Sequence, residues 1–212
     1  MRLPRSWLLL CALHGVASVL LWWADAATLQ VLTWRADEAL QRPWTWWTSA
    51  WVDPTTPTLI GHQLALGALT AFAWVVRPHA SATLAWCLAW PLAQASLALW
   101  PQIGYATSLS GVLHAAWAVL AAQLLLQRIP IPRSRRWGTL LLLGLLIKLG
   151  LEQAWLYPVV WDRGNDRSLV QALHLTGALW GLGLGALASW SRLRRPWRPG
   201  APERATEDSV HP

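Results

Sequence analysis

The stretch Tyr105-Ala106-Thr107-Ser108-Leu109-Ser110-Gly111-Val112-Leu113-His114 decides how the rest of the chain is read. It follows a Trp100-Pro101 break and opens a long apolar segment. A serine at the head of such a segment is usually a helix cap. It can also be a nucleophile held at the end of a rigid element. Serine attacks poorly unless a base takes its proton, and histidine is the usual base. A chemical role for Ser110 therefore requires a histidine beside it.

Composition sets the surroundings. Of 212 residues, 55% are hydrophobic and only 13% charged, too few charges to cover a soluble domain. Nineteen tryptophans stand beside one phenylalanine and two tyrosines, which suits belts at two membrane interfaces. The net charge of +7 does not indicate nucleic acid, because the arginines fall between apolar segments and not on one polar face. Cys11 and Cys87 both sit inside apolar segments and read as small core residues. No metal and no cofactor is expected. Arg2 and Arg5 precede the first apolar segment, as in a signal peptide. Only a weak cleavage site, Ala24-Asp25-Ala26, follows it, and five further segments come after, so it reads as a retained helix.

A membrane helix needs about 20 apolar residues. Six segments come near that: Trp7 to Trp23, Thr58 to Val76, Ala82 to Trp100, Ser110 to Leu126, Trp137 to Tyr157 and Leu169 to Trp190. With the N-terminus in the cytoplasm, twelve arginines fall on the inside and four on the outside. The positive-inside rule then favours two cytoplasmic termini. The expectation is an all-α membrane protein, a six-helix bundle over residues 1–195. Residues 24–57 form a long first outside loop, partly helical in the interface, where Trp34, Trp44, Trp46, Trp47 and Trp51 crowd. Residues 196–212 are a polar cytoplasmic tail, expected to be disordered.

In this topology Ser110 heads the fourth segment at the outer side. His174 lies about a turn and a half into the sixth, which runs inward from the same side. Gly177, Gly181 and Gly185 recur every four residues below His174. Such a stripe lets another helix approach closely, and helix packing alone explains most of them. A membrane histidine is costly, which raises its functional weight. The stripe is expected to bring His174 within hydrogen-bond reach of Ser110. Lys148 and Glu152 are four residues apart and can neutralise each other in lipid, an ion pair read as structural or substrate-facing. His114, a turn below Ser110, reads as a packing or polar-network residue. His14 and His79 are given no role.

Ser108-Leu109-Ser110-Gly111 together with His174-Leu175-Thr176-Gly177 through Gly181 resembles the G-x-S-G and H-x-x-G-x-x-x-G motifs of the rhomboid family of intramembrane serine proteases. The extension to His114, and Lys148-Leu149-Gly150-Leu151-Glu152, resemble its rhombosortase branch. The likeness runs roughly from Trp44 to Gly185. It implies a six-helix rhomboid-type bundle in a bacterial inner membrane, with the site opening to the periplasm. Ser110 would be the nucleophile and His174 the base, with no third acid, in a hydrolase that needs no cofactor. Backbone N–H groups near Ser110, around Leu109 and Gly111, and side chains of the second segment would meet the oxyanion. Two registers are open there: Thr58 and His62 in the family's His and Asn positions, or His62 and Leu66. In either register a donor has changed, and Ser108 stands where the family has glycine. The implied substrates are single-pass membrane proteins whose C-terminal tails carry a glycine motif, a membrane segment and a basic end. The resemblance leaves oligomeric state unassigned. Two other readings stand beside it: an inactive rhomboid-like protein that binds membrane helices, and a small polytopic transporter or assembly factor.

Overall fold

The computed structural model describes residues 4–164 and 167–190. The arginines at 192, 194, 195, 198 and 204, Asp166 and the tail 196–212 lie outside the described residues, and with them part of the charge count that orients the chain.

Each of the six apolar segments contains a helix. In chain order the helices are α1 (Arg5–Leu21), α2 (Ala26–Leu32), α3 (Thr45–Thr48), α4 (Thr56–Val76), α5 (Ala80–Ala95), α6 (Ser110–Leu125), α7 (Ser134–Glu152) and α8 (Ala172–Trp190). Three spans, Thr56–Val76, Ala80–Leu99 and Ala172–Trp190, are long and apolar enough to cross a membrane. The last four residues of the second span, Ser96–Leu99, tighten into a 3₁₀ turn after α5. Helices α1 and α6 are apolar but shorter. Helix α7 carries Arg135 and Arg136 near its start and Lys148 and Glu152 near its end.

Helix α6 is the axis of the molecule. Its small residues Ala115, Ala116, Ala118, Ala121 and Ala122 are all buried, so neighbours press on every side. The glycine stripe of α8 lies against it. A Cβ on Gly177 would fall 2.1 Å from the Gly111 carbonyl oxygen, and one on Gly181 2.4 Å from that of Ala115. Only glycine fits at such a separation, so the expected partnership of the fourth and sixth segments holds. Gln123 pins the other end, donating to Gly185 O at 2.7 Å and to Ser189 Oγ at 2.8 Å. Helix α7 approaches α6 where Gly138 meets Leu125, a Cβ there coming 2.6 Å from the Leu125 nitrogen. Along most of its length α7 is exposed, with Leu140, Leu143, Ile147 and Leu151 facing outward.

Two differences from the all-α expectation concern the loops. The first loop is not merely a surface anchor. Trp34 is fully buried, and its strand β1 (Trp34–Arg35) pairs antiparallel with β2 (Tyr105–Ala106), tying this loop to the Ser110 approach. The last segment does not start as helix at Leu169. Strands β3 (Val159–Asp162) and β4 (Arg167–Val170) form a hairpin, and α8 begins at Ala172. The β-branched and aromatic run Val159-Val160-Trp161 explains it. His174 consequently stands in the first turn of α8, shallower than expected.

Tryptophan also does more than mark surfaces. The Trp7 and Trp86 rings pack in the core with centroids 4.6 Å apart and planes tilted by 34°. Trp86 Nε1 donates to Val112 O at 2.9 Å, and Trp90 Nε1 to Trp47 O at 3.1 Å. These rings fill space while their N–H groups hold backbone carbonyls. In the first loop Asp25 caps α2, accepting from the Thr28 N–H at 2.8 Å and from its hydroxyl at 3.0 Å. Those bonds hold its carboxyl below the ordinary aspartate range.

Candidate active site

Ser110 is the first residue of α6, and Ser108 sits just outside that helix. Ser108 has φ 113°, a conformation that side chains resist and glycine accepts. Its N–H donates to Ser49 O at 3.1 Å, which anchors the turn to the first loop. Ser49 is itself held by Gln94 Nε2 at 2.7 Å. The Ser108 hydroxyl donates to Ser110 Oγ at 3.0 Å and accepts from the Ser110 N–H at 3.3 Å. Ser110 Oγ therefore accepts a hydrogen bond and has its own hydrogen left to give.

His174 arrives from α8. Its Nδ1 lies 2.8 Å from Glu152 Oε2, at the end of α7. Lys148 closes on Oε1 of the same carboxylate. A carboxylate on Nδ1 places the ring hydrogen there and leaves the Nε2 lone pair available. The His174 ring also stacks on His114, centroids 4.3 Å apart and planes 13° apart. His114 in turn lies with Nδ1 2.7 Å from Ser110 O, so its N–H donates to that carbonyl.

Ser110 and His174 line one cavity of about 570 Å³. Thr58, His62 and Ala65 of α4 form one wall, and Leu141, Gly144 and Lys148 of α7 the opposite one. A second, much smaller cavity of about 40 Å³ also touches Ser108, Ser110 and His174, from the side of Pro54, Tyr105 and the β4 residues Ser168 and Leu169. The two side chains thus stand between a large apolar space and a small one of mixed lining. Among the described residues no hydrogen bond joins them; the hydroxyl is engaged by Ser108 and the imidazole by Glu152.

The remaining candidates divide. His62 reaches the site, with Nε2 3.4 Å from Ser108 Oγ and Nδ1 2.6 Å from Asp53 Oδ1. Thr58 lines the cavity, but its hydroxyl pairs with Thr55 at 2.8 Å at the start of α4. Leu66 is buried in the core and does not line the cavity. Leu109 is fully buried. Gly111 faces α8, where a Cβ would meet Leu173 O at 2.9 Å, so its place is a packing one beside Ser110. Gly177, Gly181 and Gly185 pack as expected. Cys11 is buried and Cys87 part-buried against the core, and both are free thiols. No cluster of metal ligands occurs among the described residues.

Two links at the site lie beyond the sequence reading: Glu152, expected as the ion-pair partner of Lys148, also holds His174, and Asp53, given no site role, holds His62. The Lys148–Glu152 spacing accounted for both charges locally, which hid the second oxygen of Glu152 turned toward His174. Asp53 lies nine positions before His62, across the bend into α4, and only the fold joins them. A scan against protein-family models matches none of them, and a search of the curated proteins finds no match.

Proposed function

We propose that the protein is an intramembrane serine endopeptidase, in which Ser110 is the nucleophile and His174 the general base. The observation that carries this reading is that Ser110 and His174 line one cavity, with Glu152 hydrogen-bonded behind the His174 ring. This arrangement supplies a nucleophile, a base with its Nε2 lone pair available, and an acid that fixes the base's tautomer and ring plane. Ser110 Oγ attacks a substrate carbonyl and its proton passes to His174 Nε2. The tetrahedral intermediate collapses, the C–N bond breaks, and His174 gives that proton to the departing amine. A water then attacks the acyl-serine with His174 again as base, releasing the new C-terminus and restoring the hydroxyl. The first-turn N–H groups of α6 have no partners within their helix and face the place where negative charge develops.

The membrane setting follows from lengths. The 16 residues of α6 span about 24 Å, less than the roughly 30 Å of a bilayer core. With its far end at one boundary, Ser110 lies a few ångströms beneath the other. Helices α1, α4, α5, α6, α7 and α8 are then the six spans of a rhomboid-type bundle. The site opens toward the periplasmic side of a bacterial inner membrane, with both termini in the cytoplasm. The apolar cavity between α4 and α7 suits a substrate membrane segment, and the small cavity, with the hydroxyls of Thr107, Ser108 and Ser168 on its wall, has room for water. The substrates are single-pass membrane proteins carrying glycine-motif sorting tails, in the rhombosortase manner.

The test is co-expression with a reporter that carries a glycine motif, one membrane helix and a basic C-terminus. Wild type shortens the reporter and Ser110→Ala does not. An uncut reporter with both would favour the second reading, an inactive protein that holds membrane helices. The missing Ser110–His174 hydrogen bond is what favours that alternative.

A further inference from the structure

A second histidine–carboxylate couple stands beside the nucleophile, and the reaction just proposed does not use it. The Asp53 side chain is fully shielded, 0% exposed, with Oδ1 on His62 Nδ1 at 2.6 Å. Its other oxygen is buried with no hydrogen-bond partner among the described residues. Ser108 has one hydrogen and gives it to Ser110 Oγ, so where His62 Nε2 meets Ser108 Oγ at 3.4 Å the imidazole is the donor.

Ser108 completes the direction of the chain. Its two lone pairs accept from His62 Nε2 and from the Ser110 N–H, which leaves its hydrogen for Ser110 Oγ. A side chain at φ 113° is strained, and glycine would hold the same turn without strain. Strain of this kind persists where the side chain has work to do.

We propose that Asp53, His62 and Ser108 form a hydrogen-bond relay whose last member, the Ser108 hydroxyl, binds the oxyanion formed when Ser110 attacks a carbonyl. This rests on the peptidase reading above. As the Ser110 Oγ–carbon bond forms, the C=O π pair moves onto oxygen and the Ser110 proton goes to His174. That oxygen is two covalent bonds from Ser110 Oγ, within the arc swept by the Ser108 hydroxyl. Ser108 loses no proton; it exchanges one acceptor for a more negative one. Collapse returns the electron pair and expels the amine as before. Ser108 is then a catalytic donor, and His62 and Asp53 are positioning residues that act through it.

The test is Ser108→Gly, which suits the backbone angle and removes only the hydroxyl. On the membrane-helix reporter kcat is expected to fall roughly a hundredfold or more, with KM little changed and thermal stability not reduced. A peptide aldehyde, which adds Ser110 and forms an oxyanion-like adduct, should lose affinity by a similar factor, while a cleaved-product peptide should not. Adding His62→Phe to Ser108→Gly should cost little more, because members of one relay are not additive. Wild-type kcat in Ser108→Gly, a loss confined to KM, or independent additive effects would each overturn the relay while leaving the peptidase reading in place. A wild type that neither cuts the reporter nor reacts at Ser110 with a fluorophosphonate would overturn that reading and the relay with it.

Discussion

His174 Nδ1 lies 2.8 Å from Glu152 Oε2, so an acid at the end of α7 fixes the imidazole at the start of α8. The pairing crosses two helices that otherwise meet little, and it sets both the tautomer and the plane of the ring. Glu152→Gln removes the charge that stabilises an imidazolium and lets an amide N–H face Nδ1. The expected result is a kcat at least about a hundredfold lower, with an unchanged circular dichroism spectrum. Lys148→Met, whose ammonium is half exposed, should cost far less. Reporter kinetics on both variants check the order.

The glycine stripe gives a steric prediction with its own control. Gly177→Ala forces a Cβ to within 2.1 Å of Gly111 O, and α6 and α8 must part. The expected loss is about 1–3 kcal/mol of stability, with activity falling as His174 moves from Ser110. Gly183, on the same helix, has nothing within 4 Å of a built Cβ. Gly183→Ala should be neutral or stabilising by up to about 1 kcal/mol. Thermal unfolding in detergent separates the two.

His114 packs face to face on His174. His114→Phe keeps a ring against His174 and should retain most activity. His114→Ala removes the stack and should lower kcat up to about tenfold, in line with the worth of an aromatic pair. Equal losses in both variants would mean that the bond to Ser110 O, not the stack, matters.

Gln94 works at a distance. It is buried, and it holds Ser49, whose carbonyl holds the Ser108 N–H. Gln94→Leu leaves the Ser49 hydroxyl without that partner and should destabilise by about 1–3 kcal/mol. Hydrogen exchange at the Ser108 amide should quicken in the same variant.

Much of this architecture is legible in the chain. Six apolar runs mark six helices because an apolar run of about 20 residues has few other outcomes. The stripe Gly177, Gly181, Gly185 marks the face that meets α6 because absence of a Cβ has a direct steric meaning. Ser110 and His174 stand out as polar groups at matched ends of such helices, and they do share a cavity. The partners of those groups were less legible. Glu152 had a sufficient neighbour in Lys148 by local spacing, and nothing in the sequence aims its second oxygen at a ring 22 positions away. Asp53 and His62 meet only because the chain bends at Pro54 and starts α4. The buried Trp34 was read as an interfacial ring, since composition cannot tell a ring that packs inside from one at a surface. The hairpin of β3 and β4 was absorbed into its flanking apolar segments, which moved His174 half a turn or more from its actual place at the head of α8. Ser108 and His62, 46 positions apart in the chain, are neighbours in the fold.

An activated Ser110 would be detected by reaction of the purified protein with a fluorophosphonate, followed by mass spectrometry of the peptide that contains Ser110. A single adduct is expected on Ser110, absent in Ser110→Ala and strongly slowed in His174→Ala. No adduct on the wild type, or an adduct that persists in Ser110→Ala, would contradict an activated Ser110.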